Sequence, residues 1–377
     1  MKLCFLSHEY PKPGLNPGGV GVFLKTYLPE LAKLGHEVTV LGANNTNLYE
    51  ETFDQGVRII RLPNPKTPLI NWLLIAKNIK RKIIELSPDL VEGSELSFAF
   101  LPKISNIKYV IRLHGGHHFF SESENRKIDP WRGFQEKRSF KKADGFIAVS
   151  DYVKRHTSKF LSFHHKPVAL IRYFIDTATF IFSPISTNPN PYSLVFVGTV
   201  CEKKGVGNLV KAIEILKESC PSVQLDIYGK DWYFPNGESY KEFIKNQLTE
   251  TLRECVKIHD PVPHERIPDI YKSAEFCIFP SFMETQGLVA PEAMAMGKMV
   301  IFTDKGPGPE TIEHGVNGFL CNPLDINSIV ETIQLAFDSR FRKEEISKAA
   351  LCRVNEVFGK EKNLLENVKF YQKLIHG

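Results

Sequence analysis

Two glutamates eight residues apart, Glu284 and Glu292, lie in the segment FPSFMETQGLVAPE at 279–292. The apolar run FCIF at 276–279 is typical of a short strand that is buried on both faces. Pro280 ends this strand, so Glu284 falls in a loop at its carboxyl end and Glu292 about one turn inside the next helix. Carboxylates at that edge could accept hydrogen bonds from sugar hydroxyls. The plain alternative is a buried turn with two solvated glutamates.

Backbone amides lie between the two carboxylates. Pro291 falls in the first turn of the predicted helix, where its missing N–H costs little. The amides of Gly287, Leu288 and Val289 therefore stay available to a phosphate.

A lysine at the start of another helix has the chemistry of a phosphate clamp. Lys204 follows the strand YSLVFVGTV and precedes Gly205 and a helical pattern. An ammonium beside free helix amides attracts phosphate, although lysines in surface loops are common. Combined with Glu284 and Glu292, Lys204 predicts a nucleotide-sugar site, with a cation for the diphosphate and acceptors for the hydroxyls.

His114 ends the strand KYVIRLH and is followed by Gly115 and Gly116. This position suits a hydrogen bond to a ligand at the sheet edge. His117 and His118 raise the question of a metal, but adjacent residues rarely point to one ion and no carboxylate pattern completes a site. We expect no metal here.

The elements that position these residues alternate between strands and helices. A first strand at 3–7 leads into a loop rich in Gly and Pro, then a helix that Pro29 should kink or divide, then a second strand. Gly18 and Gly19 let the backbone of that loop approach a ligand closely. The spacing is not G-x-G-x-x-G and no acidic residue ends the second strand, which disfavours a nicotinamide dinucleotide.

Four more strands are predicted in the first half, in GVRIIRL, DLVEG, KYVIRLH and GFIAVS, and the alternation restarts after a segment rich in Pro, Asn and Ser. We therefore predict an α/β protein with two Rossmann-like domains facing a central cleft. The boundaries are 1–180 for the first domain, 181–191 for the linker, 192–358 for the second domain and 359–377 for a C-terminal helix.

Composition narrows the class of protein. The chain has 377 residues, a net charge of +5 and seven scattered cysteines without C-x-x-C pairs. These features indicate a cytosolic globular protein and give no argument for nucleic acid. No stretch is long enough for a transmembrane helix. Basic clusters at 72–86 and 136–142, with Lys154 and Arg155, could face an anionic membrane surface, although such clusters are usually solvated helix faces.

Several segments together resemble a known family. VFVGTVCEKKGVGNLVKAI and the long segment from FPSFMETQGLVAPEAMAMGK to HGVNGFL resemble the retaining GT-B glycosyltransferases of family 4. GGVGVFLKTYLPELAKLGHEVTVL, RLHGG and AVSDYVKR resemble the N-terminal domain of that family in the same order. The resemblance covers nearly the whole chain and is strongest over 195–322.

The resemblance implies a role for each candidate residue. Glu284 would bind hydroxyls of the donor sugar and Glu292 the hydroxyls of the ribose. Lys204 would bind the diphosphate, and His114 would contact the transferred sugar. The remaining implied donor contacts are backbone groups, at Gly18, Gly19, Val262, Gly287 and Leu288. The second domain would thus bind the donor, the first would bind the acceptor, and the C-terminal helix would cross back to the first domain.

Two positions depart from the family pattern. The family usually has an Arg a few residues before the Lys, where this chain has Thr199. Thr cannot replace the charge or the bidentate geometry of a guanidinium. Either another cation compensates, such as Lys203 or one from the first domain, or the activity is low or the nucleotide unusual. Asp260 stands where relatives often have glycine, which bears on how the base is bound.

The activity implied is transfer of a sugar from a nucleotide-sugar, with UDP as the default base and GDP next, to a glycan or lipid-linked acceptor. We expect retention by front-face attack, no metal because D-x-D is absent, and no cofactor. The setting would be cell-surface polysaccharide or glycolipid synthesis, in the cytoplasm or peripherally on the inner membrane face. The alternatives are a nucleotide-sugar-binding regulatory module with little turnover and a nucleotide-sugar epimerase of the same fold.

Overall fold

The computed structural model describes residues 1–12, 18–64, 71–123, 126–188 and 190–377. The chain forms two compact units, Met1–Phe174 together with Glu361–Gly377, and Ile175–Lys360. Each unit contains one sheet that is parallel or almost entirely parallel, with helices between its strands. The predicted α/β fold class is confirmed.

The first unit is built on an eight-stranded sheet in the order β3-β4-β2-β1-β5-β6-β7-β8. Its strands are β1 Lys2–Leu6, β2 Glu37–Ala43, β3 Glu50–Asp54, β4 Val57–Leu62, β5 Leu90–Gly93, β6 Lys108–Leu113, β7 Gly145–Ala148 and β8 Val168–Leu170. Its helices are α1 Gly19–Lys33, α2 Asn71–Leu86, α3 His117–Ser123, α4 Pro130–Lys142, α5 Asp151–Ser158 and, from the C-terminus, α14 Lys360–His376.

Strand β3 is an antiparallel edge strand that the sequence pattern did not predict. It pairs with β4 through the two-residue loop Gln55-Gly56, in which φ is 49° and 84°. Two positive φ values in succession match the type I′ hairpin turn, which suits the twist of antiparallel strands. The strand itself is mostly exposed, so it lacks the apolar run that marked its neighbours.

Helix α1 continues through Pro29, so of the two outcomes predicted for this residue, a kink or a division of the helix, the division is wrong. Proline removes one backbone donor, the one that would bond the carbonyl of Lys25. The helix ends only four residues later, and its apolar face, which includes Phe23, Tyr27 and Leu31, is buried. Packing of that face favours the helix despite the missing hydrogen bond.

The second unit is built on a six-stranded parallel sheet in the order β11-β10-β9-β12-β13-β14. Its strands are β9 Ser193–Val197, β10 Gln224–Tyr228, β11 Val256–His259, β12 Phe276–Phe279, β13 Met299–Thr303 and β14 Phe319–Cys321. Its helices are α6 Val206–Ser219, α7 Tyr240–Gln247, α8 Glu250–Cys255, α9 Ile267–Lys272, α10 Val289–Ala295, α11 Gly308–Thr311, α12 Ile326–Asp338 and α13 Lys343–Phe358.

Helix α14 packs on the sheet of the first unit through a buried polar network. Arg112 on β6 donates to Glu92 on β5 at 2.7 Å, and its guanidinium also donates to Asn367 on α14 at 2.5 Å. The hydroxyl of Tyr371 donates to Glu92 as well. Because Arg112 and Glu92 are only 1% and 3% exposed, the contacts from α14 satisfy hydrogen-bonding capacity that remains in this buried ion pair.

Among the described residues, no helix is both long enough and apolar enough to cross a membrane.

Candidate active site

Lys204 and Glu284 follow the two strands at which the sheet of the second unit changes direction. Strand β9 pairs with β10 on one side and with β12 on the other. The connections that leave β9 and β12 therefore diverge, and this switch point is where open α/β sheets bind ligands. Lys204 lies after β9 and Glu284 after β12, so both reach the same crevice within this unit.

Gly205 allows the two loops to approach each other. Its φ is +73°, and a Cβ at this position would lie 1.9 Å from the carbonyl oxygen of Pro280. The amide of Phe282 donates to the carbonyl of Lys203 at 2.8 Å, which joins the loop after β12 to the loop after β9. A residue with a side chain at position 205 would thus be both strained and in collision with backbone.

The loop contacts place the ammonium of Lys204 against the carboxylate of Glu284. Lys204 Nζ donates to Glu284 Oε1, and the two side chains are 23% and 10% exposed. This partial burial reduces the screening of their charges by water. A bound phosphate could replace Glu284 as the partner of Lys204, and a sugar hydroxyl could replace Lys204 as the partner of Glu284. Contacts to a ligand can thus take the place of the contact within the protein.

Gly287 lies directly beside Glu284. A Cβ on this glycine, whose φ is +73°, would lie 2.6 Å from the ring of Phe302 and 3.3 Å from Glu284 Cγ. Between residues that the structure describes, no hydrogen bond uses the amide of Gly287 or Leu288. The amides of Gly287 and Leu288 are therefore hydrogen-bond donors beside the carboxylate of Glu284, at the start of α10.

Glu292 is buried on α10 and contacts two ring side chains. The hydroxyl of Tyr271 donates to Oε2 at 3.4 Å, and His264 Nε2 lies 3.5 Å from Oε1, a charge contact without hydrogen-bond alignment. Burial lowers the pKa of His264, but the carboxylate of Glu292 outweighs it, and the net pKa is raised. Both rings are well placed to hold the orientation of this carboxylate.

Thr199 and Val262 lie in the loops after β9 and β11, and both are half-buried. Between described residues, no hydrogen bond or ion pair joins either of them to Lys204 or Glu284. The preceding Gly198 passes close to Gly229, where a Cβ would lie 1.6 Å from the Gly198 carbonyl oxygen. Asp260, near Val262, lies 3.4 Å from the ammonium of Lys241.

His114 lies at the carboxyl end of β6 in the first unit. Its Nδ1 shares a hydrogen bond with the hydroxyl of Tyr173. Burial, with a smaller contribution from the charge of Arg112, lowers the pKa of His114 to about 3, so the ring is neutral at physiological pH. No described residue hydrogen-bonds to Nε2, which is therefore the nitrogen that a ligand could use.

Two buried glutamates that the sequence interpretation missed hold the loop after His114. Glu95 accepts from the amide of Gly115 at 2.8 Å. Glu136 accepts from the amides of His117 and His118 and from the ring of His118. Burial, followed by the nearby charge of Glu136, raises the pKa of Glu95 to about 8. For Glu95 the signal available in the sequence was its place two residues after the predicted strand DLVEG, whereas Glu136 lies within α4 and no local pattern marked it.

His117 accepts a hydrogen bond from the amide of Asp129 at its Nε2. With His118 engaged by Glu136, each of these two rings has a protein partner. Within the described part of the chain, no group of three His, Cys, Asp or Glu side chains is arranged to hold a metal.

Gly18 and Gly19 lie at the start of α1, for which no side chain supplies a cap. A Cβ on Gly18 would lie 3.1 Å from Glu9 Oε2, so this carboxylate lies against the first residues of the helix. The amides predicted to bind diphosphate thus already have an anion beside them.

Two models of known protein families match consecutive parts of the chain. The model described as Glycosyltransferase Family 4 matches residues 17–179, and the model described as Glycosyl transferases group 1 matches residues 178–351. Glycogen synthase of Mycobacterium tuberculosis is 22% identical over 95% of this chain and 91% of its own length.

Solved structures share the fold over the whole chain. Sucrose-phosphate synthase from Thermosynechococcus elongatus superposes with a TM-score of 0.86 at 21% identity, covering 100% of this chain and 99% of that one. Anabaena HepE in complex with UDP-glucose superposes with a TM-score of 0.78 at 17% identity, covering 99% and 100%. With two family models that together match 17–351, the chain belongs to the family 4 glycosyltransferases of the GT-B fold.

Proposed function

We propose that this protein transfers a sugar from a nucleotide-sugar, with UDP-sugar first and GDP-sugar next, to a hydroxyl of a glycan or lipid-linked acceptor. The observation that supports this most is the pairing of Lys204 with Glu284 at the switch point of the second sheet. A diphosphate is the natural partner of the ammonium, and sugar hydroxyls are natural donors to the carboxylate.

In this proposal Lys204 stabilises the negative charge that develops on the leaving diphosphate, with the amides of Gly287 and Leu288. Glu284 binds hydroxyls of the transferred sugar, and Glu292, oriented by Tyr271, binds the ribose. Thr199 and the backbone at Val262 line the donor site. We assign two further donor contacts to the first unit, from the backbone of Gly18 and Gly19 and from His114, which contacts the transferred sugar. We assign the donor to 192–358 and the acceptor to 1–180, with 181–191 as a linker and 359–377 as the returning helix.

We propose transfer with retention and without a metal. The chain has no D-x-D motif to bridge a metal and a diphosphate, and the ammonium of Lys204 supplies a positive charge in its place. Front-face attack by the acceptor hydroxyl needs no carboxylate nucleophile. The complex of HepE with UDP-glucose supports UDP as the first base to test.

An anionic membrane surface is a further proposed partner, which would place the protein on the inner face of the cytoplasmic membrane in polysaccharide or glycolipid synthesis. The ring centroid of Phe100 lies 4.0 Å from that of Trp72 and 5.6 Å from that of Trp131, and Phe134 stacks on Trp131. These four rings form a partly exposed aromatic cluster on the first unit, beside the basic helices α2 and α4. Trp and basic residues together favour a membrane interface.

One lysine of the basic segment does not contribute to such a face. The ammonium of Lys142 donates to the carbonyls of Phe98, Ala99 and Leu101 at 2.7–2.9 Å. Burial, with the nearby charge of Arg138, lowers the pKa of Lys142 to about 8. Its role is to satisfy backbone carbonyls, so the proposed cationic face relies on the other basic residues of 136–142.

The second candidate function is a nucleotide-sugar-binding module with little turnover. It is favoured by Thr199, which leaves the loop after β9 without the guanidinium that relatives use. An epimerase of the same fold would act on the same donor without an acceptor. Incubation with UDP-glucose and a panel of hydroxyl-bearing acceptors, followed by chromatography, separates the three outcomes. Transfer gives UDP and a glucosylated acceptor, epimerisation gives an isomeric UDP-sugar with or without acceptor, and a module with little turnover leaves UDP-glucose unchanged.

Thermal unfolding in the presence of UDP, GDP, ADP and CMP and their sugar conjugates tests the donor site directly. A ligand that binds only the folded state raises the midpoint by mass action. We expect one nucleotide family to raise it and Lys204→Ala to abolish the increase. If none of these ligands shifts the midpoint, the proposed donor site is wrong.

A further inference from the structure

The imidazole of His114 has a hydrogen-bond partner in a loop that follows another strand of the same sheet. His114 follows β6 and Tyr173 follows β8, and the strand between them, β7, pairs with both. Because these three strands are parallel, the two residues lie at the same edge of the sheet, where the strands have their carboxyl ends. The hydroxyl of Tyr173 and Nδ1 of His114 form their hydrogen bond at this edge.

Aromatic packing holds both rings. The ring centroid of Phe23 on α1 lies 4.4 Å from that of Tyr173 and 5.9 Å from that of His114, and the latter two are 5.9 Å apart. Tyr173 is 7% exposed, whereas His114 is half-buried and lines a cavity at the carboxyl ends of β1 and β5. The protein thus holds the Nδ1 edge of the imidazole, and the Nε2 edge is the one that a ligand can reach.

The chemistry of the two groups decides which of them supplies the proton. Burial raises the pKa of Tyr173, although the charge of Arg112 opposes this, so the phenol keeps its proton. A phenol O–H is a stronger donor than the N–H of a neutral imidazole, and the bare imidazole nitrogen is a stronger acceptor than the phenol oxygen. The hydroxyl of Tyr173 therefore donates to Nδ1. A neutral ring that accepts at Nδ1 carries its own proton on Nε2.

We propose that Tyr173 is a positioning residue that holds His114 in the Nε2–H tautomer and so makes the ring a fixed hydrogen-bond donor to the bound sugar. This inference rests on the proposed function, in which His114 contacts the transferred sugar, and it specifies the chemistry of that contact. The sugar atom that meets Nε2 is an acceptor, such as a hydroxyl or ring oxygen. Because Nε2 has no lone pair in this tautomer, His114 does not take a proton from the acceptor hydroxyl.

The hydrogen bond fixes the ring in two respects. Without the Tyr173 hydroxyl, the imidazole of His114 could turn by half a rotation or take the other tautomer. The first change would put a carbon where Nε2 lies, and the second would replace the N–H at that position with a lone pair. Either change removes the donor from the sugar.

The tautomer is measured by heteronuclear NMR of the full chain with isotope-labelled histidine and without any ligand. Loss of its signals in His114→Ala identifies the ring of His114. We expect the shift of a protonated nitrogen for Nε2 and that of an unprotonated, hydrogen-bonded nitrogen for Nδ1. In Tyr173→Phe, the Nδ1 signal should move to the range of a nitrogen without a hydrogen bond. A protonated Nδ1 in the wild type would overturn the proposal, as would signals of the ring that do not move in Tyr173→Phe.

Kinetics test whether this hydrogen bond serves transfer. Tyr173→Phe keeps the ring packing and removes the hydroxyl, so it should lower kcat/KM at least about fivefold. Tyr109→Phe is the matched control, since it removes another buried hydroxyl of the first unit, which donates to the carbonyl of Pro102 at 2.9 Å. Its kcat/KM should stay close to that of the wild type. Equal losses in the two variants would point to general weakening of the unit and would contradict a positioning role.

A double-mutant cycle shows whether Tyr173 acts through His114. In the His114→Ala background, Tyr173→Phe should lower kcat/KM no further, because the ring that it positions is absent. A loss by the same factor in both backgrounds would overturn the proposal.

The proposed function can fail separately. If no donor is turned over while the NMR signals show the Nε2–H tautomer and its dependence on Tyr173, the tautomer assignment stands and the transfer reaction fails. If transfer occurs while Nδ1 is protonated, the transfer reaction stands and the role of Tyr173 is wrong.

Discussion

The ammonium of Lys204 donates to the carboxylate of Glu284 across 80 residues of sequence. Each residue follows one of the two neighbouring strands at the switch point of its sheet, and Gly205 sets the approach of the two loops. A donor that binds here must replace this contact with contacts of its own. The pair therefore holds both groups in place before the ligand arrives, which reduces the conformational entropy lost on binding.

We expect Lys204→Ala and Glu284→Ala each to lower kcat/KM for transfer at least about tenfold, which corresponds to about 1.4 kcal/mol of transition-state stabilisation. Each variant removes a ligand contact and leaves the other charge without its partner. Steady-state kinetics with the donor found by thermal shift checks this. Lys348→Ala removes the exposed pair with Glu344 on α13 and serves as the control. A near-normal rate in either site variant would show that the site is wrongly assigned.

Gly205→Ala should destabilise the second unit by roughly 2 kcal/mol or more and weaken donor binding. The new Cβ would meet the Pro280 carbonyl oxygen at 1.9 Å in a backbone with φ of +73°. Urea unfolding and nucleotide titration measure the two effects. Gly237→Ala is the matched control, since φ there is +87° and nothing lies within 4 Å of the added Cβ. Equal losses in both variants would mean that backbone strain alone, and not the collision with Pro280, is responsible.

Arg112→Met should destabilise the first unit by about 3–5 kcal/mol, because it leaves the carboxylate of Glu92 buried and unpaired. Combining it with Glu92→Gln should recover part of that loss, since the buried charge is then removed as well. A double-mutant cycle by urea denaturation provides the coupling energy. Simple additivity of the two single variants would contradict the account of this network, in which Asn367 and Tyr371 of α14 also take part.

Glu95→Gln should change how stability depends on pH. The pKa of Glu95 is raised to about 8 in the folded protein, so between about 4.5 and 8 the folded state binds a proton that the unfolded chain releases. The contribution of Glu95 to stability is therefore fully present below about pH 4.5 and is lost as pH rises to about 8.

The variant removes this ionisation, so its free energy of unfolding should fall less than that of the wild type between pH 5 and 8. Denaturant unfolding across this range checks the difference, with Glu356→Gln, an exposed carboxylate on α13, as control. Parallel pH profiles for Glu95→Gln and the wild type would show that Glu95 is already ionised at neutral pH.

The sequence alone determined the α/β class, the strands next to the candidate residues and the family. The short apolar run Phe276–Phe279, ended by Pro280, indicates a buried strand, and Glu284 follows it in the loop at its carboxyl end. In the same way, Lys204 follows the predicted strand YSLVFVGTV and precedes Gly205. These signals are local, because they depend on residues that neighbour one another along the chain.

Tertiary structure decided which distant residues meet. The pairing of Lys204 with Glu284 and the contact of Glu95 with the loop after His114 follow from how strands align side by side. The contacts of Glu136 with that loop and of Glu9 with Gly18 follow from how helices and loops pack at the sheet edge. Strand order and loop approach depend on packing between segments far apart in sequence, so no local pattern encodes them. The same packing keeps α1 helical through Pro29, because burial of a whole helix face outweighs the preference of a single residue. It also places Asn367 of α14 beside Arg112.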